Sequence, residues 1–152
     1  MKIAIIGTGH VGSSLAYAIV LKGLGNHLVL ASRNVTKAQG DALDLQHTLS
    51  FCERPMIIES SAIDGVTDSD ILVVTASVQE KGQMTDRMEL GPANVTLFRQ
   101  IIPSLVQKNP RAILIIITNP VDALTYLATQ LAGFSPSRIM GIGTLVDSAR
   151  FR

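Results

Sequence analysis

Cysteine is almost missing from this chain. Cys52 is the single copy in 152 residues, so no disulfide can close within it, and a reducing compartment is implied. No His and Cys residues share metal-ligand spacing, which argues against a structural zinc site. Charge is sparse as well. Charged residues make up 16% and leave a formal net charge of +1 without a basic block, so neither nucleic acid nor a membrane surface is an expected partner. Low-complexity tracts, long charge runs, internal repeats and linkers are absent, which removes the signature of a disordered chain. Apolar runs stay short: the one at residues 3–6 breaks at Gly7-Thr8-Gly9-His10, and the one at 113–117 is far below membrane length. A soluble, cytoplasmic protein is expected, and in that setting the N-x-T sequons at Asn34 and Asn94 carry no information.

What the chain does have is apolar mass. Hydrophobic residues reach 47% and mean hydropathy is +0.34, high for a free-standing domain of this length. The length suits one domain over 1–152 with a real core. Two explanations fit the apolar excess. A parallel sheet buried on both faces needs continuous Val/Ile/Leu strands, and part of the surface can be an interface for another domain or a second subunit.

Short β-branched runs alternate with segments of helical spacing, the pattern of βαβ units around a parallel sheet. Strands are expected at 2–7, 27–31, 55–60, 71–75, 113–117 and 138–142. Helices are expected at 11–24, 37–49 with Asn34 or Thr36 as N-cap, 86–108 with Pro92 in an early turn, and from Pro120 to about Ala132. Residues 64–70 read as a polar turn and 79–85 as a surface loop. Residues 145–152 read as a helix just beginning, without a stop signal, so the chain is expected to end inside an element.

Gly7-Thr8-Gly9-His10-Val11-Gly12 fits G-x-G-x-x-G and falls between the first strand and the first helix. The first glycine permits a tight turn, the second lets backbone approach a pyrophosphate, and the third lets helix pack on strand. Free N–H groups at the helix start supply the anion site, so Gly7, Gly9, His10, Val11 and Gly12 are expected to bind a dinucleotide. The acidic residue that would close strand two and hold the ribose hydroxyls of NAD is absent; Ser32 and Arg33 stand there instead. A hydroxyl followed by a guanidinium suits a 2′-phosphate, which favours NADP or relaxed selectivity over strict NAD use. Arg33 as a solvated loop cation is the competing reading.

Further stretches extend the pattern: Lys37-Ala38-Gln39-Gly40-Asp41-Ala42-Leu43-Asp44-Leu45, Asp86-Arg87 with Asn94 downstream, Thr118-Asn119-Pro120-Val121-Asp122, and Leu145-Val146-Asp147-Ser148-Ala149-Arg150. With the glycine motif, in this order, they make the chain resemble the lactate/malate dehydrogenase family over essentially its whole length. The resemblance implies a Rossmann-type, doubly wound α/β domain of about six parallel strands in the order 3-2-1-4-5-6. It also implies NAD(P)-dependent interconversion of a small 2-hydroxy acid and a 2-oxo acid. Arg150 would clamp the substrate carboxylate, Arg87 would stabilise charge on the carbonyl oxygen, and Asn119 would hydrogen-bond near nicotinamide and substrate. Asn94 and the backbone of Thr75, Ala76 and Ser77 would line the cofactor groove. Asp147 matches the carboxylate that orients the family's catalytic histidine.

Duller readings stand beside these. Asn119 before proline suits a strand-end turn, Asp147 a helix N-terminal acid, Arg150 its surface ion-pair partner, and Arg87 a solvated helix cation. In the family the histidine lies downstream of the position of Arg150, and His10, His27 and His47 do not occupy its place. The chain alone is therefore expected to bind cofactor without turnover. Residues 78–87 hold one arginine, which favours a monocarboxylic 2-oxo acid such as pyruvate, although Lys81 offers a cation for a dicarboxylate. Expected partners are this substrate and a further C-terminal domain or second subunit, with a homo-oligomer as the assembly. The helix at 11–24 and the open sheet edge are the natural docking surfaces.

Rivals explain less. A short-chain dehydrogenase needs Tyr-x-x-x-Lys, but Tyr126 is followed four places on by Gln130, and Tyr17 by Leu21. The 6-phosphogluconate type echoes Ser32-Arg33-Asn34 and leaves Asn119, Asp147 and Arg150 unexplained. A non-catalytic cofactor-binding module or sensor subunit is the competitor from another class.

Overall fold

A computed structural model of the chain describes residues 1–78 and 91–152. The expected loop at 79–85 and Arg87 lie outside the described residues. The strands are β1 (Lys2–Ile6), β2 (His27–Ala31), β3 (Ile57–Ser61), β4 (Ile71–Val74), β5 (Ile113–Ile116) and β6 (Ile139–Gly141). The helices are α1 (His10–Lys22), α2 (Val35–Thr48), α3 (Gly91–Lys108), α4 (Val121–Ala132) and α5 (Leu145–Phe151). All strand pairs are parallel and the order is β3-β2-β1-β4-β5-β6, the doubly wound arrangement expected from the sequence.

Alternation along the strands divides the core into two layers. Ala4 and Ile6 of β1, Val29 and Ala31 of β2, and Leu72 and Val74 of β4 face one side, against Phe98, Ile102 and Leu105 of α3 and Leu124 and Ala128 of α4. Ile3, Ile5, Leu28, Leu30 and Val73 face the other, against Ala16, Ile19 and Val20 of α1 and Ala38, Ala42 and Leu45 of α2. Because both faces are covered, the inner strands are buried nearly throughout, which accounts for much of the apolar composition. Among the described strands, the outer strands β3 and β6 carry most of the exposure, and Ile113 of β5 adds to it.

Local chemistry sets the ends. Gly23 stops α1 in a left-handed conformation (φ 59°), and Leu24 N–H donates to Ile19 O at 3.0 Å. The helix expected to reach Leu24 therefore closes at Lys22. Asn34 caps α2 by accepting from Lys37 N–H at 3.0 Å. Three single 3-10 turns, Leu49–Phe51, Ile63–Gly65 and Pro136–Arg138, were not visible as periodic pattern. The last shortens the sixth strand, expected from Arg138, to Ile139–Gly141.

Candidate cofactor-binding site

The sheet reverses direction of winding between β1 and β4, and the carboxyl ends of these strands carry the glycine turn and Thr75. Such a reversal opens a crevice in which doubly wound sheets hold dinucleotides. The three motif glycines are needed for different reasons. Gly7 has φ +108°, and an added Cβ would lie 2.6 Å from Ala76 N. A Cβ on Gly12 would lie 1.9 Å from Gly7 O and 2.8 Å from Thr75 Oγ1, so α1 can reach β1 only without a side chain there. A Cβ on Gly9 would meet no atom of the described residues within 4 Å. The described residues therefore impose no need for glycine at this exposed position, and they leave the space beside it open.

The neighbouring polar atoms fit an anion in that space. Gly9 is the N-cap of α1 and provides no side-chain acceptor for the first-turn amides of His10, Val11 and Gly12. Thr8 is buried, and its Oγ1 has no hydrogen-bond partner among the described residues. Lys37, absent from the sequence-derived candidates, reaches back from α2: its Nζ donates to Thr8 O at 2.6 Å and pairs with Asp41 at 2.7 Å. The turn thus combines amides that have no side-chain cap among the described residues with a nearby ammonium held by Thr8 O and Asp41. The i, i+4 spacing of Lys37 and Asp41 was readable, but the reach to Thr8 depends on how α2 packs.

Ser32 and Arg33 follow β2 and line a cavity of about 320 Å³ with Ile63, Asp64, Ile101 and Ser104 among its other walls. Ser32 Oγ accepts from Asn34 N–H at 3.2 Å, which leaves its proton free for an acceptor. Arg33 is exposed.

On the other side of β1, hydroxyls pin the strand ends together. Thr75 Oγ1 donates to Gly7 O at 2.8 Å, and Thr118 Oγ1 donates to Ala76 O at 2.8 Å. Ala76 and Ser77 are half-buried, Asn119 is exposed, and the Asn119–Pro120 peptide is cis. Asn94 is wholly buried, and its amide engages Ser77, Val78 and Asn119. That burial leaves its sequon inaccessible in the folded chain.

Asp147 and Arg150 share α5, where every residue is exposed. Arg150 Nη1 donates to Asp147 Oδ1 at 3.1 Å, so these two sequence candidates pair with each other. The histidines are dispersed: His10 heads α1, His27 Nε2 lies 2.8 Å from Glu59 Oε1, and His47 is in the last turn of α2.

Comparison with known proteins gives the same direction. The chain is 42% identical over 151 residues to L-lactate dehydrogenase 1 of Clostridium acetobutylicum and 42% identical to L-lactate dehydrogenase A-like 6A of Homo sapiens. Each alignment covers 99% of this chain but 48% and 45% of the relative, so the chain spans about half the length of the curated relatives it matches. A solved minor L-lactate dehydrogenase from Enterococcus mundtii, in its ligands-bound form, superimposes with TM-score 0.90 at 38% identity, over 99% of this chain and 48% of that one. MGS-M5, a lactate dehydrogenase from a Medee basin deep-sea metagenome library, gives 0.89 at 36% identity, over 98% and 47%. Residues 1–141 match the family described as lactate/malate dehydrogenase, NAD binding domain, and the chain belongs to that family.

Proposed function

We propose that this chain supplies the cofactor-binding half of an NAD(P)-dependent L-2-hydroxyacid dehydrogenase that interconverts a small 2-hydroxy acid and its 2-oxo acid. The observation that carries the reading is the open space at Gly9, beside uncapped amides at the head of α1. A bound nicotinamide would supply the chemistry of hydride transfer to or from the substrate carbon that carries the hydroxyl or carbonyl. The chain's own residues orient and stabilise. Arg150 clamps the carboxylate through its fork of donors, Asn119 offers its amide beside the carbonyl, and Arg87 offsets charge growing on the carbonyl oxygen. Asp147 holds the carboxylate that orients a histidine. The three histidines of this chain stand elsewhere, so the 152-residue chain by itself binds dinucleotide and turns over no 2-oxo acid. One arginine in residues 78–87 favours a monocarboxylic substrate of the pyruvate type. The L-lactate dehydrogenases among its relatives support that class.

Cofactor selectivity is relaxed in this reading. Ser32 and Arg33 favour a 2′-phosphate, while Asp64 on the same cavity offers an acceptor for free ribose hydroxyls. Titration of the chain with NADH and NADPH, followed by nicotinamide fluorescence, tests both levels. Both should bind, and Arg33→Ala should weaken NADPH by about three- to tenfold while NADH changes by less than about twofold. A folded chain that binds neither would sink the dinucleotide reading. NADPH binding indifferent to Arg33→Ala would remove only the phosphate role.

A further inference from the structure

Asn94 lies in α3, 0% exposed, yet both ends of its side-chain amide are engaged. Its Oδ1 accepts from Val78 N–H at 2.8 Å and from Ser77 Oγ at 3.3 Å. Its Nδ2 donates to Asn119 O at 2.9 Å and lies 3.2 Å from Ser77 Oγ. One buried side chain thereby joins the exit of β4 to the exit of β5. A carboxamide is suited to this task because it presents an acceptor to one strand end and a donor to the other. Aspartate at the same place would turn a second acceptor toward the carbonyl of Asn119. An aliphatic residue would leave a buried N–H and a buried C=O unmatched.

We infer that Asn94 is a positioning residue: by holding Asn119 O and the Ser77–Val78 backbone, it sets where the exposed Asn119 side chain meets the nicotinamide end of the cofactor. The inference rests on the dinucleotide reading above. Burial keeps Asn94 from touching a ligand, so its influence passes through the two backbone segments it holds. Those segments lie beyond β1 from the β2 end, where Ser32 and Arg33 line the adenosine-side cavity. No hydrogen bond of Asn94 among the described residues reaches that side. A loss of positioning should therefore spare the adenosine half of the ligand.

ADP-ribose, which is the cofactor without nicotinamide, separates the two halves. Titrations of the full chain with NADH and with ADP-ribose should be run on the wild type, Asn94→Ala and Ser77→Ala, with circular dichroism to establish folding. Asn94→Ala should weaken NADH by about tenfold, the order of one net hydrogen bond's worth passed on through the displaced backbone, and ADP-ribose by less than about twofold. Ser77→Ala, which removes one partner and is gentler on the fold, should shift NADH alone by about threefold. It decides the matter if Asn94→Ala fails to fold. Equal loss of both ligands, or unchanged NADH affinity, overturns the positioning role. So does a wild type that binds NADH no more tightly than ADP-ribose. A folded wild type that binds neither overturns the dinucleotide reading, and this inference falls with it.

Discussion

The rim where β1, β4 and β5 end and the helix α5 both carry residues that the family resemblance marks for function, and they are built in opposite ways. On the rim, Thr75, Thr118 and Asn94 fix backbone carbonyls and amides through bonds of 2.8–2.9 Å. On α5, Asp147 and Arg150 have side chains 69% and 75% exposed, held by one bond of 3.1 Å. A buried polar group left unmatched costs about 1–3 kcal/mol, whereas an exposed ion pair is worth about 0–1 kcal/mol. The rim is consequently rigid in the folded chain, and the α5 pair is free to exchange partners at little cost. Rigidity suits the proposed cofactor groove, which must exist before the ligand arrives. A loosely held guanidinium suits the substrate clamp proposed for Arg150, which must give up one carboxylate for another.

The contrast breaks most visibly at the glycines. Gly12→Ala drives a Cβ to 1.9 Å from Gly7 O, a backbone atom that cannot swing aside. Destabilisation of about 3 kcal/mol or more is expected, read as a drop in the urea midpoint together with loss of NADH binding. Gly9→Ala should behave differently. The new methyl meets no atom of the described residues, so stability should change by less than about 1 kcal/mol, while it enters the space proposed for the phosphates and should weaken NADH by more than about tenfold. A variant that keeps full NADH affinity would show that the open space is not where the dinucleotide lies.

Within the rim, Thr118→Val tests the pinning of strand ends. Thr118 is 4% exposed, and valine keeps its shape while removing the hydroxyl from Ala76 O. The expected cost is about 1–2 kcal/mol by urea unfolding. No change would mean that the backbone of β4 needs no help from β5 at this level.

Legibility in the sequence followed the range of the interactions. The glycine turn and the Asn34 cap, one of the two expected, come from local pattern, and the strand order from the family resemblance; all three are present as expected. The reach of Lys37 to Thr8, separated by 29 positions, depends on packing that no periodicity encodes. Asn94 shows the same limit in sharper form. Its residue type and its place near the groove were readable, but whether its amide faces a ligand or the protein's own backbone is decided by the rotation of α3 against β4 and β5. The 3-10 turns escaped because three residues are too few to show a period.

The smallest effect expected is on α5. Arg150→Ala removes a guanidinium whose partner among the described residues is Asp147, three positions earlier in the same helix. Stability of the chain should change by less than about 0.5 kcal/mol, because both side chains remain solvated and an exposed i, i+3 pair contributes only a few tenths of a kcal/mol. NADH affinity should also hold, since the proposed task of Arg150 concerns the substrate carboxylate. The informative measurement is oxamate, a carboxylate analogue of pyruvate, titrated into the NADH-loaded chain. If Arg150 alone supplies the clamp, oxamate binding should be detectable and vanish in Arg150→Ala. If α5 must first be packed against further protein to aim the guanidinium, wild type and variant should be equally blind to oxamate, while Gly9→Ala still separates from both in NADH binding.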